Sequence, residues 1–184
     1  APEGSGAMSA VLGMDAAVIE DVLNGREGVS IANYNCPGQI VITGEADAVA
    51  EAGTVLKEAG ARRVLPLKVS GPFHSPMMRP AGEELAKVFA RVSMNPLKIP
   101  YVANINAEVI TDCGRIEGLL VEQVSGSVRW QQSVETMIRE GVDTFVEIGP
   151  GKTLTGFLRK IDKNVKAYHI GSWEEAVQVC EELK

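Results

Sequence analysis

Two histidines are the residues of this chain best suited to moving protons near neutral pH, because the ordinary pKa of imidazole is about 6.5. His74 lies in the stretch VSGPFHSP (residues 69–76), between a predicted strand and a helix that Ser75 is expected to cap. A side chain there points into the groove beyond the strand ends, where neutral imidazole can act as a general base. The alternative is that His74 only satisfies a loop carbonyl. His169 lies in an apolar strand pattern and is predicted to be structural.

A general base needs a nucleophile to activate, and no serine of these 184 residues lies in the turn G-x-S-x-G that exposes a hydroxyl above a sheet. Three cysteines are far apart, form no C-x-x-C pair and show no local sign of activation. With only two histidines beside them, we expect reduced thiols and no metal site. The cysteines are Cys36, Cys113 and Cys180.

A glycine-rich turn between a predicted strand and a predicted helix resembles a phosphate-binding loop; its sequence is EIGPGKT (residues 147–153). The loop motif G-x-x-x-x-G-K-[ST] requires glycine at position 146, where this chain has Val146, so phosphate binding of that kind is disfavoured. We expect the turn instead to allow a close approach of the backbone and to present helix N–H groups to the cleft.

The elements before His74 follow from hydrophobic periodicity. Residues 7–69 are predicted to run strand, helix, strand, strand, helix, strand, with a hairpin turn at residues 36–38. This order is typical of a ferredoxin-like fold, in which two helices cover one face of a four-stranded antiparallel sheet. We therefore predict a ferredoxin-like small subdomain over residues 5–70, with a hinge that begins at Ser70.

The elements after the hinge alternate between helix and strand. Helices are predicted at residues 75–92, 115–124, 128–139, 153–161 and from 172, where SWEE is a capping box, and strands at 99–105, 142–148 and 165–170. Such alternation indicates a parallel sheet covered by helices. Three strands are few for a sheet of that type, so residues 71–184 are expected to be an incomplete α/β domain whose missing strands precede Ala1.

Charge and composition limit the classes of function. Lys and Arg number 18 against 24 Asp and Glu, a net charge of −6, which opposes binding to nucleic acid or anionic membranes. The segment 60–100 is the exception, with seven basic and two acidic residues, and suits a small anionic ligand or an acidic protein. Neither a membrane-spanning run nor a signal peptide is visible, so we expect a cytoplasmic protein.

Four motifs in order resemble the bacterial malonyl-CoA:acyl carrier protein transacylases, and the likeness runs the length of the chain. They are NYNCPGQIVITG (33–44), RRVLPLKVSGPFHSPMM (62–78), VRWQQSVETM (128–137) and EIGPGKTLTG (147–156). The resemblance implies an α/β hydrolase-like domain with a ferredoxin-like insert and an active site between them. It also implies that a serine attacks malonyl-CoA, a histidine accepts its proton, and malonyl passes to the phosphopantetheine thiol of acyl carrier protein in fatty-acid synthesis. Coenzyme A thioester is then a substrate, and no cofactor is expected.

Site residues carry over from the family position by position. His74 matches its histidine, and Arg129 matches the residue whose main-chain carbonyl orients the imidazole. Arg62 and Arg63 match basic residues that meet carrier-protein acids or coenzyme A phosphates, the alternative for both being a solvated strand edge. Other positions match residues that line the groove, Phe73 among them as the bulky residue associated with selecting malonyl over methylmalonyl. The groove residues are Phe73, Asn33, Asn35 and Val69.

The family's serine and its malonyl-binding arginine precede the ferredoxin-like insert, and neither is in this sequence. We therefore expect the chain to be the C-terminal three-fifths of the enzyme, to pair with the missing N-terminal segment, and to be inactive alone. Two alternatives stay open. One is the acyltransferase domain of a polyketide synthase, and the other is a non-catalytic module that binds carrier protein.

Overall fold

Alternating apolar residues in the first third of the chain build a four-stranded antiparallel sheet in the computed structural model, which describes residues 4–69 and 71–183. The strands lie in the order β2-β3-β1-β4, and β2 and β3 form the predicted hairpin. The expected hinge begins at Ser70, which lies outside the described residues. The elements are β1 (Gly6–Leu12), α1 (Ala16–Leu23), β2 (Val29–Cys36), β3 (Gln39–Glu45), α2 (Ala46–Glu58) and β4 (Arg63–Pro66).

The core of this half lies between the sheet and its two helices. Ile19 of α1 and Leu56 of α2 are fully buried against inward-facing strand residues such as Val11 and Ile42. Removing one such side chain from water stabilises the fold by about 1.5–3 kcal/mol. The opposite face of the sheet carries the buried apolar residues Met8, Ala10, Ala32 and Val41. Two helices of the second half, Trp130–Arg139 and Thr153–Ile161, contact β2. The first half thus packs against helices of the second half as well as against its own two.

The second half contains the predicted helices with small changes at their ends. A separate 3-10 turn, Pro76–Met78, precedes the first helix, and Ser172 Oγ accepts a hydrogen bond from the Glu175 N–H at 3.2 Å, as the capping box predicts. The mixed α/β class is therefore confirmed. The elements are α3 (Arg79–Phe89), β5 (Tyr101–Val102), β6 (Val109–Ile110), α4 (Ile116–Ser125), α5 (Trp130–Arg139), β7 (Thr144–Ile148), α6 (Thr153–Ile161), β8 (Lys166–Ile170) and α7 (Trp173–Glu182).

The prediction that residues 99–105 join 142–148 and 165–170 in one parallel sheet was wrong. Among the described residues the strands β7 and β8 pair in parallel, whereas residues 99–105 contribute the two-residue strand β5, which pairs antiparallel with β6. The cause is a tight turn between them, in which Ala107 N–H donates to the Ala103 carbonyl at 2.8 Å and Asn106 Oδ1 accepts from the Glu108 N–H at 3.1 Å. An asparagine that bonds the backbone two residues on closes such a turn, and the chain folds back locally.

The two halves are joined by backbone pairing at the outer edge of β2. Val128 N–H donates to the Ala32 carbonyl at 2.7 Å, and Tyr34 N–H donates to the Val128 carbonyl at 2.8 Å. Ser127 Oγ adds a bond of 2.6 Å to the Ile31 carbonyl. The segment between α4 and α5 therefore extends the small sheet and fixes the second half against it. In residues 4–69 and 71–183, no helix is long and apolar enough to cross a membrane.

Candidate active site

His74 lies in the loop between β4 and α3, and its backbone and its ring are both restrained. Its φ of 59° is in the left-handed region, which is uncommon for a residue other than glycine and occurs often at functional sites. The half-buried ring places Nδ1 at 3.1 Å from the carbonyl oxygen of Gln123. Because a carbonyl only accepts, this bond assigns the proton to Nδ1 and leaves Nε2 of the neutral ring as an acceptor. His74 does satisfy a carbonyl, but one in α4 rather than in its own loop.

Two buried contacts seat the His74 loop on the first half. Ser75 is fully buried, and its hydroxyl donates to the Pro72 carbonyl at 2.7 Å. Pro72 is also buried and packs on β1 at Gly6, where an added Cβ would lie 2.5 Å from Pro72 Cδ. The expectation that the Ser75 side chain caps the next helix was wrong, because its hydroxyl points back into the turn. Gly6 thus supports the site by having no side chain, which periodicity could not reveal.

The carbonyl that holds His74 belongs to the last turn of α4. Carbonyls in that turn lack partners within the helix, and the His74 ring supplies one to Gln123. The Arg129 carbonyl, which the resemblance assigned to this task, accepts from Ser133 N–H at 2.9 Å and Ser133 Oγ at 2.8 Å. The Arg129 guanidinium carbon lies 5.6 Å from the centre of the Tyr34 ring. The helical pattern predicted the end of α4, but the sequence does not show which groups the last carbonyls of that helix bond.

The expected groove residues lie on β2 and in the segment that leads to His74. Asn33 and Asn35 are half-buried on β2, and Asn33 pairs with Val128. The His74 loop and this pairing are therefore linked through residues 123–128. Val69 and Phe73 lie before His74, with 42% and 41% of their surfaces exposed. Phe73 thus presents an apolar surface next to the imidazole.

Arg62 and Arg63 are exposed at the start of β4, at the end of the sheet where β2 turns into β3. Arg62 packs beside Gly13, whose N–H bonds the Gly38 carbonyl at 2.8 Å. The next residue, Gln39, accepts a bond of 3.3 Å from the ammonium of Lys160 in α6. Cations from both halves therefore lie at one end of the small sheet. Sequence reasoning missed Lys160 because it is about 100 residues from the arginines along the chain.

Burial raises the pKa of the Cys36 thiol, and the charge of Lys160 only partly opposes this. A raised pKa keeps a thiol protonated and weakly nucleophilic. The buried Cys36 therefore agrees with the expectation that the cysteines are not activated.

The glycine-rich turn after β7 binds a side chain of its own half. The Glu147 carboxylate accepts from the Leu154 N–H at 3.0 Å, the Thr155 N–H at 2.7 Å and the Thr155 hydroxyl at 2.6 Å. Burial alone would raise the pKa of Glu147, but these bonds lower it below its ordinary value. The expectation that this helix presents its N–H groups to the cleft was wrong for Leu154 and Thr155, because the Glu147 carboxylate bonds both of these groups.

The backbone of this turn approaches β8 closely, because the Gly149 N–H donates to the Ile170 carbonyl at 2.9 Å. Gly149 and Gly151 have φ of 137° and 85°, and added Cβ atoms would meet nothing within 4 Å among the described residues. Glycine is needed here for its backbone angles and not for space. His169 Nε2 bonds the Gly149 carbonyl at 2.9 Å and so holds the turn from β8.

Comparison with known proteins identifies the family that the chain matches. Residues 2–179 match the acyl transferase domain family. The chain is 43% identical over 187 residues to the malonyl CoA-acyl carrier protein transacylase of Bacillus subtilis, covering 100% of the chain and 59% of that protein. It is 43% identical over 164 residues to the protein of the same name from Escherichia coli, covering 87% of the chain and 53% of that protein.

Solved structures give the same result. The acyl-carrier-protein S-malonyltransferase of Bartonella henselae superposes with a TM-score of 0.94 at 40% identity, over 100% of this chain and 59% of that one. A malonyl-transacylase in complex with its type II PKS acyl-carrier protein gives 0.92 at 36% identity, over 99% and 60%. The chain thus spans between 53% and 60% of the length of these relatives.

Proposed function

The chain belongs to the acyl transferase domain family, and from that membership we propose that it carries the general base of a malonyl-CoA:acyl carrier protein transacylase of fatty-acid synthesis. One observation supports this role above the others. Because His74 Nδ1 donates to the Gln123 carbonyl, Nε2 of the neutral ring is the nitrogen left to take a proton.

The proposed reaction has two acyl transfers that share this nitrogen. A serine hydroxyl attacks the malonyl thioester carbon while His74 Nε2 takes its proton, and the coenzyme A thiolate leaves and recovers that proton from the imidazolium. The phosphopantetheine thiol of acyl carrier protein then gives its proton to Nε2 and attacks the malonyl-serine ester. The serine oxygen leaves and is reprotonated by the same ring, so the enzyme returns to its starting state.

We also propose that these 184 residues do not transfer malonyl by themselves. The support is the sequence, in which no serine lies in a G-x-S-x-G turn. A nucleophile must therefore come from the portion of the relatives that this chain does not span. Incubation of the chain with radiolabelled malonyl-CoA should leave no label on the protein, and rapid stoichiometric labelling would refute this proposal.

The finer assignment of the fold is likewise proposed. Residues 5–70 form a ferredoxin-like small subdomain, supported by the strand order β2-β3-β1-β4 with two helices between the strands. Residues 71–184 then belong to the larger acyltransferase domain, with β7 and β8 as part of its parallel sheet. The substrate groove lies between them, beside the pairing of β2 with Val128.

Selection of the acyl group is assigned to Phe73, whose exposed ring precedes His74. Malonyl and methylmalonyl differ by one methyl group, which a bulky neighbour can exclude for roughly 10-fold to 200-fold discrimination. In a complete enzyme that contains this chain, a Phe73→Ser exchange should bring the values of kcat/KM for the two thioesters closer together. Unchanged discrimination would remove Phe73 from this role, and Asn33, Asn35 and Val69 would remain as the groove residues to test.

The direct test is a chimera in which this chain replaces the matching portion of the Bacillus subtilis relative, with which it shares 43% identity. We expect this chimera to transfer malonyl from coenzyme A to acyl carrier protein. A folded chimera that binds carrier protein without transferring malonyl would support the alternative of a non-catalytic binding module. A folded chimera that does neither would refute the proposed function.

A further inference from the structure

We propose that Ser75 is a positioning residue for His74, because its buried hydroxyl closes the turn that holds His74 in the left-handed backbone conformation. The inference rests on the proposed role of His74 as general base. The backbone geometry that it explains is nevertheless measurable without any catalysis.

The conformation of His74 requires support from its surroundings. Its φ of 59° is one that a residue with a side chain adopts only at an energetic cost. Such a conformation persists where neighbouring contacts fix it. On one side of His74 the chain is fixed at Pro72, which is buried against Gly6 of β1 so closely that an added Cβ at Gly6 would overlap the proline ring. The turn that contains His74 therefore begins at a fixed point.

The end of the turn is fixed at Ser75. Pro76 follows Ser75, and a residue before proline is restricted to extended backbone. Ser75 accordingly has φ of −120° and ψ of 162°, and its carbonyl accepts from the Met78 N–H at 2.9 Å. Residues 73 and 74 form the turn between these two points. The chain thus changes direction at His74, where φ becomes positive.

The Ser75 hydroxyl joins the two ends of this turn. Its Oγ donates to the Pro72 carbonyl at 2.7 Å, and the side chain is fully buried. A serine in extended conformation before a proline at the start of a helix ordinarily accepts a hydrogen bond from a helix N–H. Among the described residues, Ser75 caps no such N–H. The hydroxyl therefore stabilises the turn that carries His74 and not the helix that follows it.

A second residue with positive φ shows what is particular to His74. Ala107 has φ of 58°, and its own backbone N–H bonds the Ala103 carbonyl at 2.8 Å. At His74 the closing bond comes from a neighbouring side chain, so a substitution can remove it. Packing alone would not require a hydroxyl at Ser75, because burying that group is costly unless it is bonded.

The test is the backbone conformation of His74, measured by NMR on the isotopically labelled chain. A residue with φ of about 60° holds its amide proton close to its own Hα, so the NOE between these two protons is strong. His74 should show this NOE in the wild type, and Ala107 serves as the internal reference. Ser75→Ala should lower the ratio of left-handed to other His74 conformations by about fivefold, the equivalent of one neutral hydrogen bond. The His74 NOE should weaken accordingly, whereas the Ala107 NOE should not.

The matched control is Ser133→Ala. Ser133 is also buried, and its hydroxyl donates to the Arg129 carbonyl at 2.8 Å, so this variant loses a hydrogen bond of the same kind. It should leave the NOEs of His74 and Ala107 unchanged. Ser75→Cys retains a weaker donor and should weaken the His74 NOE less than Ser75→Ala does.

Three results would overturn the inference. The first is a weak His74 NOE in the wild type, and the second is a folded Ser75→Ala variant with the wild-type NOE. Should Ser75→Ala not fold, a wild-type NOE in Ser75→Cys is the third. In an active chimera, Ser75→Ala should also slow acylation by about fivefold, and an unchanged rate would likewise overturn the inference. An inactive chimera would count against the proposed function and leave the NMR result standing.

Discussion

Replacing Gly6 with alanine should destabilise the fold by displacing the loop that carries His74. An added Cβ at Gly6 would lie 2.5 Å from Pro72 Cδ and 2.6 Å from Pro72 Cβ, closer than atoms in folded proteins approach. Pro72 is a rigid ring and is fully buried, so it cannot rotate away as a flexible side chain would. Gly6 lies in β1 outside the left-handed region, so the substitution tests space and not backbone strain.

The magnitude follows from two opposing effects. Overpacking of a well-packed site costs about 1–3 kcal/mol. Replacing glycine with alanine recovers about 0.4–1 kcal/mol, because it reduces the conformational entropy of the unfolded chain. At the middle of both ranges the free energy of unfolding should fall by about 1.3 kcal/mol, and at about 2–4 °C per kcal/mol for a chain of this size Tm should fall by about 3–5 °C.

Thermal and urea denaturation measure this change, with Gly71→Ala as the matched control. Gly71 lies in the same loop, and an added Cβ there meets nothing within 4 Å among the described residues. Its variant should be as stable as the wild type or slightly more stable. If Gly6→Ala unfolds at the same temperature as the wild type, the contact between Gly6 and Pro72 does not seat the loop and the reasoning fails.

Three further predictions concern groups away from the loop. Because the pKa of Glu147 is lowered, the stability it contributes is present above the ordinary pKa and is lost as the pH falls through the folded value. In urea titrations, Glu147→Gln should thus lower the free energy of unfolding at pH 7 and lower it much less below about pH 4. An equal loss of stability at the two pH values would contradict this. Burial and a neighbouring carboxylate raise the pKa of Tyr34 to about 12, so its contribution is lost as the pH rises from about 10 to 12. In the Tyr34→Phe variant the free energy of unfolding should fall less steeply between about pH 10 and 12 than in the wild type. An unchanged slope would contradict this prediction. Replacing Arg62 and Arg63 with glutamate should weaken the binding of acyl carrier protein measured by calorimetry, most strongly at low salt. Arg91→Glu is the control and should leave binding unchanged. If the double replacement also leaves binding unchanged, the two arginines are only a solvated strand edge.

The first half could be predicted almost element by element because its signals are local. Each strand and helix shows its own periodicity, and glycine, proline or asparagine marks most of the ends. The same reasoning failed at residues 99–105, where an apolar run suggested a full strand. The turn closed by Asn106 returns the chain after two paired residues, and that local bond outweighs the strand pattern.

The site was predicted less completely because its contacts join residues that are distant along the chain. His74 was identifiable from its type and its place before a helix. The carbonyl of Gln123 is a backbone group, and only the docking of α4 decides which ring it meets. The glycine-rich turn was predicted to present the N–H groups of α6 to the cleft, since nothing in the sequence says that the Glu147 carboxylate turns toward them. Gly6 supports the His74 loop because it has no side chain that would overlap Pro72, and no sequence pattern reveals such a contact.

The most direct test of the central claim is the rate at which malonyl-CoA acylates the chimera before and after His74→Ala, measured in a single turnover. If His74 Nε2 takes the proton of the attacking hydroxyl, acylation should slow by about 100-fold to 10,000-fold, and added imidazole should restore part of the rate. A folded His74→Ala chimera that acylates within threefold of the parent, with no response to imidazole, would contradict the account.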